Sequence, residues 1–273
     1  GNGTAPPPAP PDLDGDGIPD QLDFDTDGDG SSDAEELTNG TNPRDANSHA
    51  FANSYSTFLN GNLSLWLDAS DLTQAGTTWT DKSGHNRHAT MHGSPEIVAN
   101  FQNGKPVMRY GTDSLDYHSF PQLADVRTVF WVLRSETANS APLLGDSQVY
   151  HLHASTTKFL HSSHPHANVK QGLLRLDGTT VNGVTEDKPN AMSVISLRTT
   201  GNVTASNFSR DRTSTSHHWK GELAELLIFN APLSDQMMSE IEGYLAHKWA
   251  LTNRLPQDHP HKATAPYATG ALG

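Results

Sequence analysis

The sequence predicts an all-β body, of sandwich or jelly-roll type with one C-terminal helix, preceded by an irregular acidic repeat. Three observations predict it. Only 34% of the 273 residues are hydrophobic and 7% aromatic, against 22 glycines and 17 prolines, a turn-rich mix that suits short strands better than a helical bundle. From about residue 55 onward, short apolar runs alternate with Gly, Asn, Asp and Pro. Charge is segregated: residues 1–47 hold twelve acids and one base, Arg44, whereas the rest holds 19 acids and 17 bases and is nearly neutral.

Residues 1–11, GNGTAPPPAPP, read as a semi-rigid linker without the basic-then-apolar order of a signal peptide. With no initiating Met, the chain is expected to lie inside a longer polypeptide. Residues 12–48 carry a repeat of period 13, in which Asp12, Asp14, Asp16, Gly17, Asp20 and Asp23 recur as Asp25, Asp27, Asp29, Gly30, Asp33 and Glu36. Within each 12-residue loop the carboxylates fall at positions 1, 3, 5, 9 and 12 with Gly at 6, the ligand spacing of an EF-hand-type calcium loop. Calcium takes six to eight hard oxygens and tolerates irregular geometry. The predicted ligands are therefore Asp12, Asp14, Asp16, Asp20 and Asp23 with the Ile18 carbonyl, and Asp25, Asp27, Asp29, Asp33 and Glu36 with the Ser31 carbonyl. A 13-residue period leaves no room for flanking helices, so consecutive loops are expected to wrap ions in a row. Without the ion, facing carboxylates would repel one another. The pattern resembles the thrombospondin type 3 repeat, over residues 12–36 and the following Gly40-Thr41-Asn42-Pro43.

In the body, Leu63, Leu65 and Leu67 alternate with Ser64 and Trp66 at strand periodicity. Arg127–Arg134 is apolar through its middle, as for a strand buried on both faces, and Val149–His153, Leu173–Leu176, Met192–Arg198 and Glu222–Phe229 are further strand candidates. Ser234 reads as the N-cap of a helix, with Asp235 in its first turn and Ile241, Leu245 and Trp249 at helical spacing up to about Leu251. Residues 256–273 read as an extended tail.

Several classes are excluded or disfavoured. No cysteine means no disulfide, thiolate metal site or Cys nucleophile. No apolar run approaches the ~18 residues of a membrane helix, so insertion is not expected. An acidic chain without a basic patch is a poor nucleic-acid binder.

The body also carries a resemblance. Trp66-Leu67-Asp68-Ala69-Ser70, Trp79-Thr80-Asp81-Lys82-Ser83-Gly84, Gly104-Lys105-Pro106-Val107, Gly111-Thr112-Asp113, Gly221-Glu222-Leu223-Ala224-Glu225 and Gly243-Tyr244-Leu245-Ala246-His247-Lys248-Trp249 are similar to laminin-G-like, concanavalin A-like jelly-roll modules of secreted bacterial proteins. The resemblance spans roughly residues 55–255. It implies a concanavalin A-like jelly roll and a secreted or cell-surface location. The expected partners are a carbohydrate or cell-surface glycan and neighbouring domains of the same polypeptide. Such modules also occur in polysaccharide-degrading enzymes and as structural parts of adhesins, so both readings stay open.

Catalysis by paired acids is not expected. Glu222 and Glu225 are three apart and face opposite sides of a regular strand, and Glu225 is expected to be a buried carboxylate held by an Arg or by backbone donors. The fifteen histidines concentrate at His151, His153, His161, His164 and His166, with a further pair at His217 and His218. Imidazole suits a transition metal or, beside Tyr150, acid–base chemistry, but no fixed motif is present and neutral polar roles are expected. Asp68, Asp71, Asp113 and Asp116 are expected to cap turns rather than bind a further calcium. Tyr110, Tyr117, Tyr150 and Trp219 are candidates for sugar stacking, whereas Trp66 and Trp249 are expected in the core.

Overall fold

The computed structural model describes residues 11–14, 18–23, 26–27, 33, 36–37, 42–45, 61–70, 72, 76–111, 115–136, 141–208 and 210–266. The chain divides into two compact units, one of residues 59–263 and one of residues 1–58 with 264–273.

Residues 59–263 form an antiparallel β body. Its strands are β1 (Leu63–Asp68), β2 (Thr78–Trp79), β3 (Ala89–His92), β4 (Glu96–Gln102), β5 (Lys105–Tyr110), β6 (Tyr117–Ser135), β7 (Leu173–Leu176), β8 (Thr179–Val181), β9 (Ser193–Phe208) and β10 (Gly221–Phe229). A one-turn helix α1 (Ala167–Lys170) precedes β7, and α2 (Asp235–Lys248) follows β10. The strands hydrogen-bond in the order β4-β5-β10-β6-β9-β7-β8, with β1 also on β10 and the β2–β3 pair on β6. The expected all-β class is therefore observed.

Hydrophobic patterning explains the centre. Every residue of β10 is buried, and so is Val129–Leu133 of β6 alongside it. These continuous apolar runs have the pattern of strands covered on both faces. Phe130 and Phe229 meet edge to face at 5.9 Å. The long strands β6 and β9 lose register at Ser119/Leu123, Leu123/Val126 and Val126/Thr128. Extra residues of this kind bend a strand, and β6 thereby serves β3 through Tyr117–Ser119 and β10 through Thr128–Ser135.

Helix α2 begins as the sequence predicts. The Ser234 hydroxyl accepts the Met237 N–H at 3.2 Å, and Asp235 lies in the first turn. Met238, Ile241, Leu245 and Trp249 are buried. The chain after Leu255 is not simply extended: Lys262 Nζ reaches the Thr252 carbonyl, His247 Nε2 bonds the His261 carbonyl, and His259 is buried beside Glu242.

One strand expectation fails. Val149–His153 is irregular chain, not strand. The Asp146 carboxylate takes the N–H groups of Gln148 and Val149 at 2.8 and 3.1 Å, and the His153 N–H closes on the Tyr150 carbonyl. Backbone donors captured this way cannot enter a ladder.

Candidate functional site

The acidic repeat shows one contact twice. Asp20, at position 9 of the first loop, accepts the Leu13 N–H on Oδ1 at 2.8 Å. Asp33, at position 9 of the second, accepts the Thr26 N–H on Oδ1 at 2.9 Å and the Thr26 hydroxyl on Oδ2 at 2.7 Å. Leu13 and Thr26 are themselves thirteen residues apart, so the sequence period is also a structural one. The second oxygen of Asp20 pairs with Arg44 Nη1 at 2.9 Å, which gives the segment's one base a place within it. Position 9 thus closes each loop through its carboxylate. Asp20, Asp27 and Glu36 are buried, Glu36 completely, whereas Asp12 and Asp14 are exposed. Asp23 and Asp33 are half-buried, and Ile18 is exposed. Asp16, Asp25, Asp29 and Ser31 lie outside the described residues.

Burying carboxylates inside a segment so rich in acids is costly unless a cation or donors compensate. The side-chain donors available are all hard oxygens, which is the set that suits calcium and not a soft transition metal. Among the described residues, no three His, Asp or Glu side chains are arranged to hold a metal ion.

In the body, the carboxylates singled out by sequence are consumed by structure. Glu222 on β10 lies directly opposite Arg109 of β5 and Arg134 of β6, and both guanidiniums bind it, Arg109 Nε at 2.7 Å. Phe101 lies under the two arginines at 5.7 and 5.4 Å. Glu225 is fully buried, but its partners are not the expected Arg or backbone. The indole N–H groups of Trp66 and Trp249 each donate to it at 2.7 Å, and Lys248 Nζ lies 3.0 Å away. Lys248 also bonds Asp68 at 2.7 Å and sits within 6.0 Å of the Trp66, Tyr244 and Trp249 rings. Burial would raise the Asp68 carboxyl, but Lys248 and Lys82 hold it well below the usual range. Asp116 is buried and accepts the N–H groups of Ser94 and Gly111, so Asp68 and Asp116 serve the scaffold. Asp71 and Asp113 lie outside the described residues.

Of the aromatic candidates, Trp219 is fully buried, and so is Tyr110, whose hydroxyl bonds His118 Nδ1 at 2.8 Å. Neither can stack on a sugar. His118 is core: burial first, then the neighbouring His92, lowers its pKa to about 3. Tyr117 is half-buried, and Tyr150 is 45% exposed.

Around Tyr150 the structure assembles what the sequence holds apart. His153 Nδ1 bonds Asp211 Oδ2 at 2.9 Å, and His217 Nδ1 approaches the same oxygen at 3.3 Å. Arg212 grips Asp211 through Nε at 3.1 Å and Nη2 at 3.2 Å, and lies 4.8 Å over the Tyr150 ring. His161 and His164 stand 5.6 and 5.3 Å from His153, ring centre to ring centre. Burial would raise Asp211, but Arg212 and His153 hold it low. Burial lowers His153, and the repulsion of His217 and His164 adds to that despite Asp211. His151 and His166 form a separate pair at 4.7 Å. The backbone fixes several tautomers: Thr204, Ser163 and Asn168 donate N–H to Nδ1 of His151, His161 and His166. A neutral imidazole whose Nδ1 accepts carries its proton on Nε2 and offers a donor there, not a metal lone pair.

Elsewhere in the body, a recess of about 590 Å³ is lined by Ser135, Glu136, Thr157, Lys188, Asn190 and Arg254, among others. Lys188 is buried, bonds the Ala141 and Ser155 carbonyls, and is lowered by burial to about 7.

An antiparallel β body with an acidic, oxygen-donor repeat before it defines the class of this chain. A family model described as the bacterial TSP3 repeat matches residues 25–46, the second acidic repeat and the Gly40-Thr41-Asn42-Pro43 sequence beyond it. The first loop lies outside that match but keeps the same spacing and the same closing hydrogen bond. Thrombospondin type 3 repeats are of calcium-binding type and typical of extracellular proteins. No curated protein matches the chain. No helix among the described residues is long and apolar enough to cross a membrane.

Proposed function

We propose that residues 12–48 bind calcium in consecutive loops, and that the β body is a non-catalytic, carbohydrate-binding module of a larger extracellular bacterial protein. The observation that carries the calcium reading is the recurrence, thirteen residues apart, of the Asp20 and Asp33 loop closures beside the buried Asp27 and Glu36. Asp12, Asp14, Asp16, Asp23, Asp25, Asp27, Asp29 and Glu36, with the Ile18 and Ser31 carbonyls, would hold the ions. Asp20 and Asp33 would reach them through water, since their oxygens close the loops. Bound calcium replaces carboxylate repulsion with shared coordination and so stiffens the segment.

For the body, the non-catalytic reading is supported by the full engagement of the buried Glu222 and Glu225 with flanking cations and indoles. The carbohydrate reading rests on Tyr150, an exposed ring edged by His153, His164 and Arg212. Calcium titration calorimetry with limited proteolysis of residues 12–48 tests the first part. No heat, and cleavage unchanged by chelator, would refute it. A glycan array in calcium tests the second, and new reducing ends from a polysaccharide panel would replace it with an enzyme.

A further inference from the structure

Resting on the carbohydrate reading above, we infer that the Tyr150 face recognises acidic glycans, those carrying carboxylate or sulfate groups, rather than neutral ones. The argument begins with Asp211. It is the acid within this cluster, its side chain is 1% exposed, and it is spent on Arg212, His153 and His217. Its charge is therefore turned inward, while Arg212 and His217, 42% and 30% exposed, face outward. Arg212 uses Nε and Nη2 on Asp211, which leaves the Nη1 donors directed elsewhere, and its side chain is 42% exposed. A guanidinium stacked on an aromatic ring and fixed by a carboxylate is a preorganised anion receptor, because little rotamer freedom remains to be lost.

The backbone is held for this arrangement. Arg212 adopts φ 52°, a left-handed conformation that costs a non-glycine residue energy and persists only where its surroundings enforce it. The Ser214 N–H closes on the Asp211 carbonyl, and Arg210 binds the carbonyls of Thr213 and Ser214 within the same loop. Arg210 lies 5.0 Å over the ring of Tyr117, which in turn stacks on His92 at 4.1 Å. One loop thus carries two Arg-on-Tyr stacks, each beside histidine.

The imidazoles add donors. His161 presents a protonated Nε2 because Ser163 donates to its Nδ1. His153 and His217 present unprotonated Nε2 atoms when neutral and become donors when charged. The charged and titratable groups that face His153 are Asp211, His164, His217, His161 and Tyr150. Burial, joined by the repulsion of His217 and His164, disfavours the charging of His153, and a bound anion offsets it. Binding therefore takes up protons and tightens as pH falls through the histidine range.

The test uses the full chain in calcium with three probes: dextran sulfate, hyaluronan oligosaccharides and unmodified dextran. Dextran sulfate and hyaluronan are expected to bind at least tenfold more tightly than dextran, to weaken between 50 and 300 mM NaCl, and to tighten from pH 7.5 to 5.5. Arg212→Ala and His161→Ala, which removes the Nε2 donor, should each weaken anionic binding, Arg212→Ala by about tenfold, with the melting temperature unchanged in His161→Ala. Should Arg212→Ala melt early, His161→Ala carries the test alone. Equal binding of dextran and dextran sulfate would overturn the inference and leave the carbohydrate reading standing. Anionic binding untouched by the variants would overturn it too, and no binding by any probe would remove the carbohydrate reading with it.

Discussion

Replacing Lys248 by Met isolates the electrostatic centre of the body. Lys248 Nζ lies 2.7 Å from Asp68 Oδ2 and 3.0 Å from Glu225 Oε2, and both carboxylates are buried. Met keeps most of the volume between Tyr244, Trp66 and Trp249 but removes the charge. Breaking a buried pair from one side costs about 3–5 kcal/mol, because the surviving charge is left uncompensated. For a domain of this size each kcal/mol lowers Tm by roughly 2–4 °C, which gives a fall of roughly 6–20 °C at pH 7. Lys82 still neutralises Asp68 at 2.9 Å, so the penalty falls mainly on Glu225. Burial already pushes the Glu225 carboxyl up against the pull of Lys248, and losing Lys248 pushes it further. A carboxyl whose folded pKa is raised costs stability above its unfolded value of about 4.3. The deficit should therefore shrink as pH falls from 7 to 5, and Glu225→Gln in the Lys248→Met background should recover part of it. Calorimetric melts across this range are the assay. A fall in Tm below roughly 2 °C at pH 7, or a deficit that grows on acidification, would refute the reasoning.

If the calcium proposal holds, Glu36→Gln should weaken calcium binding on the order of tenfold by calorimetry without changing the far-UV spectrum of the body, since it removes a buried carboxylate charge from the proposed ligand set. Gly145→Ala would drive a Cβ into the Arg210 carbonyl and Asn207 Oδ1. It should cost about 1–3 kcal/mol in urea unfolding and weaken anionic-glycan binding by displacing the loop that carries Arg212. Lys188 is lowered to about 7 by burial, whereas the unfolded amine titrates near 10.4. Its burial penalty is complete below pH 7 and fades as pH rises towards 10. Wild-type stability relative to Lys188→Met should therefore increase between pH 7 and 9.5 in denaturant titrations, and a flat difference would contradict the assignment.

What the sequence determined by itself is local. The period-13 repeat, the Ser234 cap and the apolar run of β10 each follow from spacing within one segment, and each is found where spacing places it. Alternation alone misled at Val149–His153, because Asp146 captures the donors a ladder would need. Tertiary structure alone decided the partners. Trp66 reaches Glu225 across 159 residues, and His153 reaches Asp211 across 58. Composition could flag the excess of histidine, but not that a buried aspartate would gather His153, His217 and Arg212 beside Tyr150. Side-chain charge is written in the sequence, whereas the neutralisation of each charge depends on which strands and loops the fold lays side by side.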